Sequence, residues 1–387
     1  MSVTAAKGFV AAGIHCGIKD GDVPDLSLVA TAGAVPVVAA AVFTRNKMTA
    51  APVQVSRRHL ELTRNEATAV ILNSGNANAG TGEVGIGDAD QMCRLTAAAL
   101  GCEPQHVLVC STGLIGNRLP MDVITPGIPL VAGELAATGG PLAAEAIRTT
   151  DTHRKESVAK ADGVVVGGMA KGSAMLRPDM ATMLAVITTD ADVTAAELQS
   201  ALTGAVDDSF NRLTTDGAQS TNDTVMVLAS GKAGRPDLDT FAAQLHEVCV
   251  DLATQMANDA EGATKVVRIT VTGAASDAEA TRGARAVAEC QLIKCSWAGN
   301  DPYWGRIASE LGASGIEFEQ SQVSVSYGEF EVARGGVDAA HDAGGLASYM
   351  QQRFIDITAD LGVGDGTGHV LTVDLTHGYV DENMGTS

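Results

Sequence analysis

The sequence has no excess of basic charge: 26 Lys and Arg stand against 46 Asp and Glu, giving a formal net charge of −20. Such a chain repels phosphate backbones and anionic lipid heads, which argues against nucleic acid and membranes as partners and for a small molecule. No segment reaches the roughly 18 consecutive apolar residues of a membrane-spanning helix. The opening stretch carries Lys7 but no sustained apolar core before Lys19 and Asp20, so no export signal is expected. The seven cysteines are odd in number, scattered and without a CxxC pair, which suits a reduced, cytoplasmic protein. The eight histidines stand singly, without the clustered Cys, His or carboxylate ligands that a metal site needs. Internal repeats, heptad runs and low-complexity tracts are also missing.

What is present is ample core material. At 387 residues and 45% hydrophobic content the chain is long enough for two domains or subdomains. Apolar β-rich runs at 36–43, 67–72, 106–110 and 183–188 alternate with helical stretches. Thr194 with Glu197 and Ser276 with Glu279 give capping patterns that open helices toward Phe210 and Cys290. Phe241, Leu245, Val248, Leu252 and Met256 make one apolar helical face. From residue 322 onward, alternating runs imply antiparallel strands. The class is therefore mixed α and β. Residues 133–145, rich in small side chains, read as an exposed connection. GVGDGTG at 362–368 reads as a hairpin turn rather than a phosphate loop, because its spacing is not GxGxxG and a strand follows it.

The informative segment is KGSAMLRPDMATMLAVITTD, residues 171–190. After a glycine-rich approach, Pro178 and Asp179 make a turn, and the small Ala181 precedes Thr182 at the mouth of an apolar strand. A threonine hydroxyl is a weak nucleophile unless a base adjoins it. An N-terminal threonine supplies its own base, since its α-amine titrates near about 8. That amine is freed only by cutting between Ala181 and Thr182, a cut the same hydroxyl can begin by attacking the Ala181 carbonyl.

PDMATML at 178–184 closely resembles the autocleavage motif of the ornithine acetyltransferase family, the bifunctional glutamate N-acetyltransferase/amino-acid acetyltransferase of arginine biosynthesis. The resemblance runs nearly end to end. It includes AVFTRN (41–46), ILNSGNANAGTG (71–82), CSTGLIG (110–116), TTDT (149–152), GGMAKG (167–172), STNDTV (220–225), DAEGATK (259–265), DPYWGR (301–306) and YVDEN (379–383). It implies a layered α/β sandwich of the ornithine acetyltransferase and self-processing aminopeptidase type. Residues 1–181 would form an α chain and 182–387 a β chain beginning with the nucleophile Thr182, assembled as an (αβ)2 heterotetramer.

Carried over residue by residue, the resemblance gives Thr182 as nucleophile and Thr112 and Gly113 as the oxyanion hole. Thr149, Lys171, Thr182, Glu261, Asn383 and Ser387 match its substrate-binding positions. Lys171 suits a carboxylate and Glu261 an ammonium, as in ornithine. The implied reaction moves the acetyl group of N-acetylornithine to glutamate through acetyl-Thr182, with no cofactor, and leaves open acetyl-CoA as a second donor. The chain departs from the family pattern at Tyr303, at Ala218 and Gln219, and at Gly80, where the family usually has cysteine. Its tail after Asn383 is one residue shorter than usual, so Thr386 competes with Ser387 for the terminal contact. Two other classes stay open: a self-processing hydrolase, whose acetate release would ignore glutamate, and a non-catalytic amino-acid-binding protein, which would remain a single uncut chain.

Overall fold

The structure, a computed structural model, describes residues 2–177 and 183–385. The chain divides into two compact units, Met1–Asn211 with Ala218–Met256, and Arg212–Gly217 with Ala257–Gly385.

The strands of the first unit are β1 (Phe9–Ile14), β2 (Leu26–Thr31), β3 (Val37–Phe43), β4 (Glu66–Ala67), β5 (Ala69–Asn76), β6 (Val107–Leu114), β7 (Lys155–Ala161), β8 (Val164–Lys171), β9 (Leu184–Ala191) and β10 (Thr224–Gly234). Its helices are α1 (Ala51–Thr63), α2 (Gly82–Leu100), α3 (Met121–Gly133), α4 (Gly140–Ala146), α5 (Ala195–Asp207) and α6 (Leu238–Asn258), whose last turn enters the second unit. The strands form two sheets, in the orders β1-β2-β5-β6 and β4-β3-β10-β9-β8-β7.

Alternation along β5 explains why these sheets stack. Val70 and Leu72 share a core with Met169, Val186 and Met226 of the other sheet, whereas Ala69 and Ile71 pack with Met92, Ile124 and Ile128 of α2 and α3. Side chains of a strand point alternately to its two faces, so each apolar strand feeds two layers. On the far side, Val248 and Leu252 of α6 close over Gly168, where an added Cβ would stand 3.1 Å from Leu252, and α5 packs on β3. The result is the expected layered sandwich of helices, two sheets and helices. The Thr194–Glu197 capping box opens α5, and the apolar face read along 241–256 is buried along α6. Residues 133–145 are the exposed connection expected only in their first half: Gly133, Glu134, Ala136, Ala137 and Thr138 are exposed, whereas Gly139, Gly140, Ala143 and Ala144 are buried, and Ala136 exchanges two backbone hydrogen bonds with Ala11.

In the second unit the strands are β11 (Val266–Ala274), β12 (Ser324–Tyr327), β13 (Phe330–Arg334), β14 (Val337–Asp338), β15 (Phe354–Asp360) and β16 (Gly366–Val373). The helices are α7 (Asp277–Glu289), α8 (Gln291–Ala298), α9 (Trp304–Ala313), α10 (Ala343–Tyr349) and α11 (His377–Glu382). One sheet, ordered β14-β13-β12-β15-β11-β16, carries the core. Val267, Ile269 and Val271 pack with Ala284, Val287 and Trp297 of α7 and α8. Antiparallel pairing holds for β12 with β13 and β15, and for β16 with β11, but β11 and β15 run parallel. Because β11 lies between β15 and β16, residues 362–368 are not a hairpin turn: 362–365 carry the chain across the end of β11, and 366–368 already belong to β16. No described helix is long and apolar enough to cross a membrane.

Candidate active site

Thr112 and Gly113 lie just before Leu114, the last residue of β6, where its parallel ladder with β5 slips: Asn76 stands opposite both Thr112 and Leu114. Gly113 has φ +131°, and a Cβ there would lie 2.3 Å from the Gly75 carbonyl carbon. Only glycine allows that approach. Asn222, just before β10, clamps this end by donating to the carbonyls of Ala77 at 2.6 Å and Ser111 at 2.9 Å.

Lys171, the last residue of β8, is buried and donates its ammonium to Thr112 Oγ1 at 3.3 Å. A hydroxyl that accepts in this way keeps its own proton to donate. Asp151 sits behind the pair. Its carboxylate accepts from Lys155 Nζ at 2.6 Å, from the Gly172 amide at 2.7 Å and from the Thr149 amide at 3.2 Å, and lies 3.9 Å from Lys171 Nζ. Burial opposes ionisation of Asp151, yet Lys171, Lys155 and the Gly172 amide overcome it and hold the carboxyl at about 2. Thr149 thus reaches this cluster through its backbone.

Asp223, also fully buried, marks the other side. Its Oδ1 accepts from the Met183 amide at 2.9 Å, and the Thr224 amide donates to the Met183 carbonyl at 3.1 Å. Its Oδ2 is buried without a hydrogen-bond partner among the described residues. Burial pushes this carboxyl well above the usual carboxylate range, against the opposing pull of the Met183 amide, Ser220 and Lys171.

β8 and β9 are antiparallel neighbours with Lys171 opposite Leu184. The connection between them therefore starts at Gly172, held by Asp151, and ends at Met183, held by Asp223. Ala181 and Thr182 belong to this connection but lie outside the described residues, as do Pro178, Asp179, Thr386 and Ser387. Cys110, two residues before Thr112, is fully buried, and desolvation pushes its thiol to about 12. It stays protonated at neutral pH and is no competing nucleophile.

Glu261 and Asn383 meet within the second unit, where Asn383 Nδ2 donates to Glu261 Oε2 at 2.8 Å and to the Tyr379 carbonyl at 2.9 Å. Close backbone contact sets this up. Gly262 has φ +63°, and a Cβ there would lie 2.1 Å from the Tyr379 amide nitrogen. Tyr379 is pushed to about 12 by burial, Asp216 and Glu261.

Asp151, Lys155, Asn222 and Asp223 are the residues that sequence reasoning did not single out. Asp151 lies within TTDT, and Asn222 and Asp223 lie within STNDTV. A charged or amide residue inside a segment bound for the interior was the available signal; Lys155 offered none.

The sequence model of the ArgJ family matches residues 10–385. The chain belongs to the ArgJ family. It is accordingly an acyltransferase of arginine biosynthesis. The arginine biosynthesis bifunctional protein ArgJ of Streptomyces coelicolor is 47% identical, with 100% of both chains covered. That of Thermobifida fusca is 45% identical, again with 100% of both covered. A solved structure of ornithine acetyltransferase complexed with ornithine from Mycobacterium tuberculosis is 40% identical over 47% of this chain and 95% of its own, with a TM-score of 0.42.

Proposed function

We propose that this ArgJ-family enzyme cuts itself between Ala181 and Thr182, yielding chains 1–181 and 182–387, and then moves acetyl groups from N-acetylornithine to glutamate. The observation that carries the reading is the contact between Lys171 and Thr112 at the head of the connection containing the Ala181–Thr182 bond. Two strands joined by that connection remain adjacent in one sheet whether or not it is cut, so a cut leaves the unit held by its ladder and core.

In the first step Thr182 Oγ attacks the Ala181 carbonyl, the acyl group shifts from nitrogen to oxygen, and water hydrolyses the ester. The freed α-amine then serves as base. In transfer, Oγ attacks the acetyl carbonyl of N-acetylornithine and gives its proton to the amine. The Thr112 hydroxyl and Gly113 amide stabilise the oxyanion. Collapse expels the ornithine amine, which takes the proton back. The glutamate amine then attacks acetyl-Thr182 by the reverse path, giving N-acetylglutamate. No cofactor is required by this sequence, and the bifunctional character named in the relatives favours acetyl-CoA as a second acetyl donor.

In the same reading Thr149 and Lys171 receive a substrate carboxylate, Glu261 and Asn383 receive an ammonium, and Ser387 supplies a terminal contact. The mature protein is an (αβ)2 heterotetramer in the cytoplasm. Intact-mass measurement of Thr182→Ala tests the core of the reading: one uncut chain without transfer activity is expected, and a normally processed or active variant contradicts it.

A further inference from the structure

We propose that Lys19 is a further substrate-binding residue: its ammonium, fixed at the strand end that carries Thr112 and Gly113, takes the α-carboxylate that acetyl donor and acceptor have in common. This rests on the proposed reading that Thr149 and Lys171 receive a substrate carboxylate. Four backbone amides fix where Lys19 stands. Cys16, Gly17, Ile18 and Lys19 donate to the buried Asp25 carboxylate at 2.7, 3.1, 2.7 and 3.1 Å, and the Asp25 carbonyl accepts from the Ser74 amide at 2.9 Å. The Lys19 stem then lies against Gly75, where an added Cβ would stand 2.8 Å from Lys19 Cγ. Gly75 is the residue of β5 paired with Gly113 of β6. At the far end of the side chain, Nζ donates to the Arg148 carbonyl at 3.0 Å, one peptide bond from the Thr149 amide that Asp151 holds.

A lysine ammonium has three N–H donors. Lys19 uses one of them among the described residues, on the Arg148 carbonyl, and its side chain is only partly buried. The neighbouring cations are committed elsewhere. Lys171 is buried against Thr112 and Asp151, Lys155 is buried on Asp151, and the Arg148 guanidinium is tied to the Glu145 carboxylate and the Asp151 carbonyl. Lys19 therefore keeps two donors and a positive charge for a ligand. Burial pulls its ammonium below the usual lysine range; Asp25 and Glu145 pull the other way, and Arg148 and Lys171 add to the effect. An arriving anion offsets both the burial and the repulsion. N-acetylornithine and glutamate carry a carboxylate on the same carbon as the nitrogen that gives up or receives the acetyl group. One cation near the oxyanion donors thus serves both half-reactions through a charge-assisted hydrogen bond. No bond is made or broken at Lys19.

Lys19→Met tests this, because the thioether keeps an apolar stem on Gly75 and removes the charge. The readout is kcat/KM of the mature protein for the donor, which in a ping-pong sequence does not depend on the acceptor. It is measured with N-acetylornithine and with its α-carboxamide, which lacks only the anion. The variant should lose roughly 10- to 100-fold with N-acetylornithine and less than about threefold with the carboxamide. Equal losses with both would make Lys19 a support of the site and not a contact, and no loss with either would leave it without a role; both overturn the inference. A parent enzyme that does not distinguish carboxylate from carboxamide would overturn the carboxylate role of Thr149 and Lys171 as well, so the two failures are told apart. If Lys19→Met does not fold, the comparison is read on Lys19→Gln, whose uncharged amide still donates a hydrogen bond. If the variant is not cut, it is read with chains 1–181 and 182–387 co-expressed.

Discussion

Asp151→Asn should weaken the protein far more than an exchange of one oxygen for an NH2 suggests. Asp151 and Lys155 are both fully inaccessible and 2.6 Å apart. Breaking such a pair by neutralising one partner leaves an uncompensated buried charge, a loss of about 3–5 kcal/mol. The depressed carboxyl gives a second route to the magnitude. A fall from 3.8 to about 2 corresponds to about 2 kcal/mol of stability from the ionised form. The two routes bracket an expected loss of about 2–5 kcal/mol at neutral pH. The assay is urea unfolding in a Thr182→Ala background, so that all samples share one covalent state. Because the folded pKa lies below the unfolded one, this contribution is complete above about pH 4 and vanishes as pH falls toward 2. The gap between parent and variant should therefore close on acidification. Adding Lys155→Met removes the stranded charge and should restore much of the loss. A neutral-pH loss below about 1 kcal/mol, or a double variant no better than the single, would refute the buried-pair account.

Thr112→Ala deletes a side-chain donor to the oxyanion and should cut kcat roughly 100- to 1000-fold with folding intact, while Thr112→Ser keeps most activity; steady-state kinetics of both variants decide this. Gly262→Ala drives a Cβ to 2.1 Å from the Tyr379 amide and strains a positive φ. It should shift α11 and with it the Asn383–Glu261 bond, raising KM for N-acetylornithine more than it lowers kcat; an unchanged KM would contradict the role given to that pair.

Much of the molecule was legible in the sequence because its signals are local. Apolar periodicity marked α6, side-chain caps marked α5 and α7, and β9 showed itself as an apolar run. Neighbour relations were less legible, since alternation tells which face of a strand is buried but not which strand lies beside it. That is why residues 362–368 read as a hairpin: β11, drawn from residues 266–274, inserts between the strands they join. The same limit applies to the site. Thr112, Gly113 and Lys171 came from motif resemblance, but Asp151 and Asp223 act through partners that only the folded chain brings near. Gly172 is 21 residues from Asp151, and Met183 is 40 from Asp223. The second half of the 133–145 segment misled for a related reason. Small side chains mark flexible loops and also tight packing, and here Gly139 and Gly140 let the chain close on Ala11 and Ser2.

The central claim is that Thr182 carries the acetyl group between donor and acceptor. Quenching the mature protein after mixing it with N-acetylornithine alone, and then mapping peptides by mass spectrometry, tests it most directly. The account predicts one added acetyl group on residue 182, discharged when glutamate is supplied before the quench. Ornithine release with no acetyl group on the protein, or with the group on another residue, would contradict it.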